Sequence, residues 1–294
     1  MYKNINIYMI IIVILVVLQS FLIIKDFYSN KIEHFQNQDI VHNNIVYDNF
    51  YSKLYDQLFY SKPKVEYECA LINKYIKMKD KKTLDVGCGT GQHLVYFKNR
   101  DITGLDNSNA MLKIAKEKVP NARLIKGNFA HGDLFSHQQF DNIMVLYFVI
   151  YYQKNISQLL NNCYKWLKPG GNLVIHIVNP EKFDPILDPS SPFPAFSLQK
   201  YSKKRITKSN VVFNNFEYEG NFKIDLENDD AQFTETFKFK DTSKPVRKQV
   251  HNLTIPPIKD MKNLIKNAGF KYQRREDLVI CGYEYQYLYF FTKD

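Results

Sequence analysis

The sequence predicts an α/β fold built on a parallel sheet, and two observations indicate it. Between residues 80 and 180, apolar runs of strand length alternate with amphipathic runs of helix length, which is the order of parallel strands with crossover helices. The run at 140–148 (FDNIMVLYF) is largely apolar, as in a strand covered by helices on both faces. The balance of 45% hydrophobic and 24% charged residues excludes a disordered or collagen-like chain.

The first element is an uncharged apolar run at residues 7–24, IYMIIIVILVVLQSFLII, which predicts a membrane-spanning helix. At ~1.5 Å per residue such a helix extends about 27 Å, close to the thickness of the hydrocarbon core. Two alternatives stay open. A buried core helix would show a polar face, and only Gln19 and Ser20 interrupt the run. A cleaved signal peptide would need a small-residue cleavage site, and no A-x-A-like site follows.

The core elements follow in order from apolar spacing and from proline and glycine. Two helices between Tyr47 and Met78, broken near Pro63, come first. The alternating part then predicts strands at Thr83–Val86, Ile102–Leu105, Ala122–Lys126, Phe140–Phe148 and Asn172–Val178, and helices at Ala110–Lys118 and Ile156–Leu167.

The pattern changes after Pro180. Two runs of alternating polarity, VVFNNFEYEGNFKIDL and AQFTETFKFKD, predict antiparallel strands inserted into the α/β order up to about residue 256. A helix at Ile258–Ala268 and two strands, at about Lys271–Val279 and Tyr283–Phe291, end the chain.

The strongest chemical signal is the segment LDVGCGTGQH at residues 84–93. An apolar strand ends in Asp85, glycines follow at 87, 89 and 91, and a helix begins near Gln92. Glycine permits positive φ and a close approach of the backbone to a ligand, and the amides of a helix N-terminus can face that ligand. A dinucleotide fingerprint that starts at Gly87 would need glycine at Gln92, so the spacing excludes that motif.

A second carboxylate follows the next strand in GLDNS, residues 104–108. Asp106 ends that strand and can accept hydrogen bonds from both hydroxyls of a ribose. The alternative role for Asp106 is to cap the next helix. Capping by Asn107 or Ser108 instead would leave Asp106 free for the ribose.

Taken in order, the motifs resemble those of class I S-adenosylmethionine-dependent methyltransferases. The matching segments are LDVGCGTG, GLDNS-x-x-ML, KGNF, FDNIMVLYFVI and WLKPGGNLVIHIV. The resemblance implies a doubly wound, mostly parallel seven-stranded sheet with an antiparallel last strand, and S-adenosylmethionine as the cofactor. It also implies a methyltransferase domain at 47–294, with core motifs at 80–180, a substrate lid at 180–256 and a closing helix and β-hairpin at 257–294.

The resemblance assigns the cofactor site residue by residue. Asp85, Gly87, Cys88, Gly89, Thr90 and Gly91 would hold the amino-acid part, Asp106 the ribose, Asn107, Met111, Asn128 and Phe129 the adenine, and Leu146 and Tyr147 would lie under the sulfur. Many members of the family carry aspartate at the position of Asn128, whose amide oxygen can still accept from an exocyclic amine. Core packing is the alternative role for Met111 and Phe129, and no metal site is expected.

The acceptor and any general base stay open. Methyl transfer from a sulfonium needs mainly proximity and alignment, and a base only where the nucleophile starts out protonated. Candidates for catalysis are Tyr147, Tyr151 and His176, followed by Asn179 and His251. The alternative roles are a core histidine for His176 and an aromatic wall for Tyr151 and Tyr152. The basic run at 200–208 is a solvated loop or a site for phosphates or lipid headgroups, without the aromatics of an RNA-binding signature.

The expected protein is a membrane-anchored methyltransferase that acts on a small-molecule or lipid-associated acceptor. A cofactor-binding scaffold without catalysis and a protein or nucleic-acid methyltransferase are the alternatives. Residues 1–29 would be the anchor and 30–46 a linker. Lysines flank the anchor almost equally on both sides, so charge does not orient it.

The catalytic domain is expected to face the cytosol, where S-adenosylmethionine is made. Four well-separated cysteines also favour a reducing compartment. Sequons at Asn155 and Asn252 keep the secretory pathway, reached through a cleaved signal peptide, as the alternative.

Overall fold

The computed structural model describes residues 40–42, 45–190, 202–241 and 245–294 together with Gln19, Gln199 and Ser243. Two β-sheets and six α-helices are the main elements of this part of the chain. The strands are β1 (Ile40–His42), β2 (Thr83–Val86), β3 (Ile102–Asp106), β4 (Arg123–Lys126), β5 (Phe140–Val145), β6 (Leu167–Val178), β7 (Lys208–Val212), β8 (Phe216–Asp225), β9 (Asp230–Phe239), β10 (Arg247–Thr254), β11 (Phe270–Asp277) and β12 (Gln286–Lys293). The helices are α1 (Asn49–Phe59), α2 (Lys62–Tyr75), α3 (Gln92–Tyr96), α4 (Asn109–Lys118), α5 (Ile156–Trp166) and α6 (Ile258–Asn267).

Seven strands form the larger sheet, in the order β11-β12-β6-β5-β2-β3-β4. Strands β2 to β6 pair in parallel, whereas β12 runs antiparallel to both β6 and β11. This topology confirms the predicted α/β sheet and its antiparallel last strand.

Helices cover both faces of this sheet. Side chains of α5 and α6, such as Leu159 and Ile265, pack with Leu84 and Val145 in one buried cluster. Side chains of α2, α3 and α4 pack on the opposite face in a second cluster, with residues such as Met144. Because the strands are covered twice, their carboxyl ends are the accessible edge, where open α/β sheets bind ligands.

Side-chain caps fix where three helices begin. The Asp48 carboxylate accepts from the amides of Phe50 and Tyr51, both at 3.0 Å, at the start of α1. The Ser108 hydroxyl accepts from the Met111 amide at 3.1 Å at the start of α4. Asn155 caps α5 in the same way. Each cap satisfies an amide that lacks a partner in the first helical turn.

The five-stranded sheet has the order β1-β10-β9-β8-β7 and is antiparallel except at β1, which pairs in parallel with β10. Strands β7 to β10 lie in the segment 180–256, where antiparallel strands were predicted. Two strands were not predicted. Strand β1 lies in the expected linker, and β10 (RKQVHNLT) is too polar to read as a strand because Gln249 and His251 occupy its inward positions.

The prediction of a single-pass membrane protein is wrong. Among the described residues no helix is long and apolar enough to cross a bilayer. The longest, α2, has 14 residues and extends about 21 Å, short of the ~30 Å hydrocarbon core. The apolar run at 7–24 lies outside the described residues, apart from Gln19.

Candidate active site

A cavity of about 490 Å³ opens at the carboxyl ends of β2, β3 and β5. We name two parts of its wall the core half and the lid half. The core half consists of Asp85, Gly87, Cys88, Gly89, Thr90, Asp106, Asn107, Ser108, Met111, Asn128, Phe129, Leu146 and Tyr147. The lid half consists of Tyr47, Tyr51, Tyr55, Tyr152, Phe183, Phe222, Phe233, His251 and Leu253. The inserted strands β8, β9 and β10 therefore face the ligand edge of the larger sheet.

The glycine-rich turn after β2 folds over the end of β3. The amides of Gly87 and Cys88 donate to the Leu105 carbonyl at 2.7 and 3.0 Å. Gly89 has φ +52°, and a Cβ atom placed on it would meet no protein atom within 4 Å. Since Gly89 lines the cavity, that open space belongs to the ligand site and a larger side chain would enter it.

Gly91 is the one predicted cofactor residue that does not line the cavity. It precedes α3 in the left-handed conformation, with φ +80°, and packs against Ala115. Its part in the structure is to turn the chain into the helix.

Asp106 is held by backbone amides at the end of β3. Its Oδ2 accepts from the Gly89 amide at 2.9 Å and its Oδ1 from the Ser108 amide at 2.8 Å. Burial raises the pKa of Asp106, and the backbone amides of Ser108, Gly89 and Asn107 oppose that shift. Ser108, not Asp106, supplies the side-chain cap of α4, so the Asp106 carboxylate can accept a further hydrogen bond from a ligand.

Asp85 ends β2 as a buried carboxyl, with 2% of its surface exposed. Burial raises its pKa to about 7, and the nearby His93 opposes the shift. None of the described residues donates a hydrogen bond to it, so a donor from a ligand would stabilise its charged form.

A buried ion pair that sequence reasoning missed lies beside Asp85. Lys64 Nζ is 2.6 Å from Glu68 Oε1, and His93 Nε2 is 3.0 Å from Glu68 Oε2. Burial raises the pKa of Glu68, but Lys64 and His93 outweigh burial and hold it well below its usual range. The lysine and glutamate are four residues apart on α2, a spacing that could have indicated the pair.

The remaining core-half residues that were predicted to contact the cofactor also line the cavity. Asn107, Met111, Phe129 and Leu146 line the cavity. So does Asn128, whose Oδ1 accepts from the Ala130 amide at 3.0 Å and therefore has one lone pair left for an adenine amine. Tyr147 also lines the cavity and has φ +53°, an uncommon conformation for a residue with a side chain.

Two of the three candidate catalytic residues do not line the cavity. The Tyr151 hydroxyl accepts from the Val178 amide at 2.9 Å. His176 bonds through Nδ1 to the Tyr147 carbonyl at 2.8 Å, and its ring stacks on that of Tyr147 with centroids 6.1 Å apart. Burial, followed by the charge of Lys64, lowers the pKa of His176 to about 4, so this histidine is neutral. Both side chains support the wall of the cavity from behind.

Side chains of the lid half belong to a hydrogen-bonded network around a fully buried carboxylate that lies behind them, Glu235 on β9. Its Oε2 accepts from Tyr51 Oη at 2.5 Å, Gln249 Nε2 at 2.6 Å and His251 Nε2 at 2.7 Å, and its Oε1 accepts from Tyr218 Oη at 2.8 Å. With Nε2 of His251 donating to Glu235, Nδ1 accepts from the Tyr152 hydroxyl at 2.7 Å. The Tyr152 oxygen in turn accepts from the Tyr47 hydroxyl at 2.7 Å.

The sheet register explains how this network assembles. Glu235 pairs with Gln249 on one side and Gly220 on the other. A Cβ atom on Gly220 would lie 2.9 Å from the Tyr218 hydroxyl, so glycine leaves the room in which that phenol reaches Glu235. The side chains of Glu235 and Phe237 point to the same, inward face of β9. A charged residue at an inward position of a strand is the sequence signal that could have indicated this network.

Comparison with known proteins finds a family that the residues around this site match. Residues 83–171 match the family model of a methyltransferase domain. This stretch of the chain is a methyltransferase domain. The match spans the glycine-rich turn, Asp106 and strand β5, which ends two residues before Tyr147. It confirms the resemblance and, with it, the expected cofactor, S-adenosylmethionine.

Curated relatives of this methyltransferase domain align over its core. A dTDP-4-amino-2,3,4,6-tetradeoxy-D-glucose N,N-dimethyltransferase of Saccharopolyspora spinosa is 37% identical over 97 residues, 31% of this chain and 38% of the relative. A demethylmenaquinone methyltransferase of Tropheryma whipplei is 36% identical over 104 residues, 34% of this chain and 43% of the relative. The chain thus spans less than half the length of these two relatives.

Solved structures share the fold over a longer stretch. The CcbJ methyltransferase of Streptomyces caelestis superposes with a TM-score of 0.66 at 15% identity, over 86% of this chain and 100% of that one. CalS10, an amino pentose methyltransferase from Micromonospora echinaspora solved with S-adenosylmethionine bound, superposes with a TM-score of 0.54 at 20% identity, over 81% of this chain and 98% of that one. At these identities the likeness concerns the fold.

Proposed function

We propose that the protein is an S-adenosylmethionine-dependent N-methyltransferase whose acceptor is a small-molecule amine that arrives as an ammonium ion. The observation that carries the proposal is the charge of the cavity wall. Five carboxyl groups line the cavity, Asp56, Asp85, Asp106, Asp184 and Asp188. The chain as a whole has a formal net charge of +10.

The core half fits the cofactor. The open space at Gly89 admits a ligand against the backbone, and the Asp106 oxygens would accept from the ribose hydroxyls. Asp85 would accept from the amino group of the methionine part, and Asn128 and Met111 would contact the adenine. When bound, S-adenosylmethionine supplies a methyl group on a positively charged sulfur. The residues that surround it orient the reacting atoms and exclude water.

The remaining wall favours a cation over an anion. Lys64 is the one lysine or arginine among the described lining residues, and Glu68 compensates its charge. Of the acidic lining residues outside the core half, Asp56 is likewise compensated, by Lys118. Asp188 accepts from the Tyr283 hydroxyl at 2.7 Å, and Asp184 lies on the same segment. An acceptor that carries phosphate or carboxylate would meet no uncompensated positive side chain here, whereas an ammonium would meet carboxylates.

Aromatic side chains of the lid half add to this preference. Tyr47, Tyr55, Phe222 and Phe233 line the cavity, and their ring faces attract cations. The relative from Saccharopolyspora spinosa, an N,N-dimethyltransferase of an amino sugar nucleotide, supports an amine acceptor. The demethylmenaquinone relative shows that the same core also serves another acceptor, so the core half does not decide the substrate.

The experiment is methyl transfer from S-adenosylmethionine labelled in the methyl group into a cell extract, with the products separated into small-molecule, lipid, protein and nucleic-acid pools. We expect label in the small-molecule pool, in compounds that bind a cation exchanger at neutral pH. The Asp106→Ala protein is the control for enzyme-dependent label. Label confined to lipid, protein or nucleic acid would contradict the amine acceptor, and no label above the control would contradict the catalytic function.

A further inference from the structure

We infer that Tyr47, Tyr152, His251 and Glu235 form a proton relay that deprotonates the acceptor, with His251 as the group that receives the proton. The inference rests on the proposed methyltransferase function and adds to it a general base and the route by which the proton reaches that base. An ammonium nitrogen has no electron pair to attack with, so an acceptor that binds in that form has to lose a proton first.

The geometry is a continuous line of hydrogen bonds from the cavity to a buried carboxylate. Tyr47, Tyr152 and His251 all line the cavity, and Glu235 lies behind them with 0% exposure. The three links, Tyr47 to Tyr152, Tyr152 to His251 and His251 to Glu235, are each 2.7 Å. Among the described residues no side chain donates to the Tyr47 hydroxyl oxygen, so that oxygen can accept from the acceptor.

Each step of the relay balances. The acceptor N–H proton passes to the Tyr47 oxygen as the Tyr47 proton passes to Tyr152 and the Tyr152 proton to Nδ1 of His251. The freed electron pair on nitrogen forms the bond to the methyl carbon, and the methyl–sulfur bond breaks with its electron pair left on sulfur. The imidazolium later returns its proton to solvent. No oxidant or reductant takes part.

The negative charge of Glu235 fits a relay in which His251 alternates between a neutral and a positive form. In the described part of the chain, Glu235 has no lysine or arginine partner, only the donors Tyr51, Tyr218, Gln249 and His251. A buried carboxylate without a cation is costly, and an imidazolium at His251 would compensate it at 2.7 Å. Glu235 therefore both fixes the tautomer of His251 and stabilises its charged form, as the carboxylate of a catalytic triad does.

The phenols of Tyr47 and Tyr152 pass the proton on and are not its final acceptors. Burial is the first cause that raises the pKa of Tyr47, and the charges of Tyr152 and Tyr55 add to it. Burial likewise raises the pKa of Tyr152. Since both stay protonated at neutral pH, each can only accept one proton while it releases another, and the net proton ends on the histidine.

The test compares Tyr152→Phe and His251→Gln with the wild-type protein in the labelled-extract assay between pH 7 and pH 9.5. We expect the rate at pH 7 to fall on the order of 100-fold in both variants, within the range for general acid–base catalysis. The deficit should shrink toward pH 9.5, where solution supplies more of the acceptor as free amine. The affinity for S-adenosylmethionine, measured by calorimetry, should stay within about threefold of wild type because the core half is untouched.

The matched control is Tyr151→Phe. It removes the same hydroxyl one residue away, where that hydroxyl accepts from a backbone amide outside the cavity. We expect its rate to follow that of the wild type across the pH range, even if its melting temperature falls.

Each outcome decides the inference. Rates of Tyr152→Phe and His251→Gln near that of the wild type would overturn the relay and leave the proposed function standing. A deficit that is equal at all pH values, or shared by Tyr151→Phe, would assign these residues a structural role and overturn the relay as well. No transfer by the wild-type protein would overturn the proposed function and the relay with it.

Discussion

The core half and the lid half of the cavity are assembled in different ways. The core half comes from short segments at neighbouring strand ends, so Gly89 and Asp106 meet across 17 positions of sequence. The lid half comes from distant segments, and Tyr51 meets Glu235 across 184 positions. The first kind of site depends on local backbone geometry, whereas the second depends on the pairing register of an inserted sheet. The two halves should therefore respond differently to mutation.

The largest effect is expected at the backbone of the core half. Gly89→Val places a branched side chain in the open space of the cavity and forces it into a left-handed conformation, with φ +52° in the native chain. We expect the affinity for S-adenosylmethionine, measured by calorimetry, to fall by more than about 100-fold, since more than ~2.7 kcal/mol of contact is lost.

A valine at Gly170 is the control that distinguishes backbone strain from a blocked ligand site. Gly170 also has positive φ, +70°, and open space around it, but it lies in β6 outside the cavity. We expect Gly170→Val to lower the melting temperature and to bind the cofactor as the wild type does. Equal loss of binding in both variants would show that backbone strain, not the ligand space at Gly89, is responsible.

The next effect concerns the carboxylate of the core half. Asp106→Ala removes both acceptor oxygens that would meet the ribose, and we expect S-adenosylmethionine to bind more weakly by roughly 1.5–3 kcal/mol, the range for hydrogen bonds to charged groups. Asp141→Ala is the matched control. That carboxylate pairs with Lys81 and Lys168 and does not line the cavity, so cofactor affinity should stay unchanged. Full affinity in a folded Asp106→Ala protein would refute the ribose assignment.

A smaller, pH-dependent effect is expected at Asp85. Its pKa is raised to about 7 by burial, so below that pH the carboxyl has to release a proton before it accepts from the amino group of the cofactor. We expect the affinity to rise up to about tenfold per pH unit from pH 5.5 to 7 and then to level off. Asp85→Asn should bind more weakly and lack that rise. The same rise in both proteins would mean that another group titrates.

The raised pKa of Asp85 also makes the stability of the fold depend on pH. A carboxyl whose pKa is higher in the folded than in the unfolded chain stabilises the fold at low pH and loses that contribution as pH rises toward about 7. In the absence of cofactor, Asp85→Asn should therefore gain stability relative to the wild type between pH 4 and 7. Thermal unfolding at a series of pH values measures the difference, and a gain that is independent of pH would contradict the buried carboxyl as its cause.

The two halves also differ in how far the sequence alone predicts them. The turn at Gly89, the strand end at Asp106 and the sheet around them follow from a contiguous strand–turn–helix pattern, because parallel strands bring successive carboxyl ends to one edge. Alternation in β9 predicts which side chains face inward but not which strand they meet. The pairing of Glu235 with Gln249, and the approach of Tyr152 from a separate element, depend on tertiary contacts that no local pattern encodes.

The smallest expected effect concerns the contact between the two halves, at Ser108. Its hydroxyl accepts from the Met111 amide as the cap of α4 and donates to the backbone carbonyl of Tyr47, which begins the lid half. Ser108→Ala should lower the free energy of unfolding by about 1–2 kcal/mol. Cofactor affinity should change little, because Asp106 is held by the Ser108 amide, which the substitution keeps.

A second capping variant isolates that contact. Asn155→Ala removes the cap of α5, where the side chain accepts from the Gln158 amide at 3.1 Å, the same length as the bond at Ser108. Both variants lose one cap, but only Ser108→Ala also loses a bond to the lid half. A larger loss of unfolding free energy in Ser108→Ala therefore measures the coupling between the halves, with Tyr47 as the point of contact. Equal losses would show that the bond to Tyr47 adds nothing, and that the lid half is positioned by its own sheet and by α1 alone.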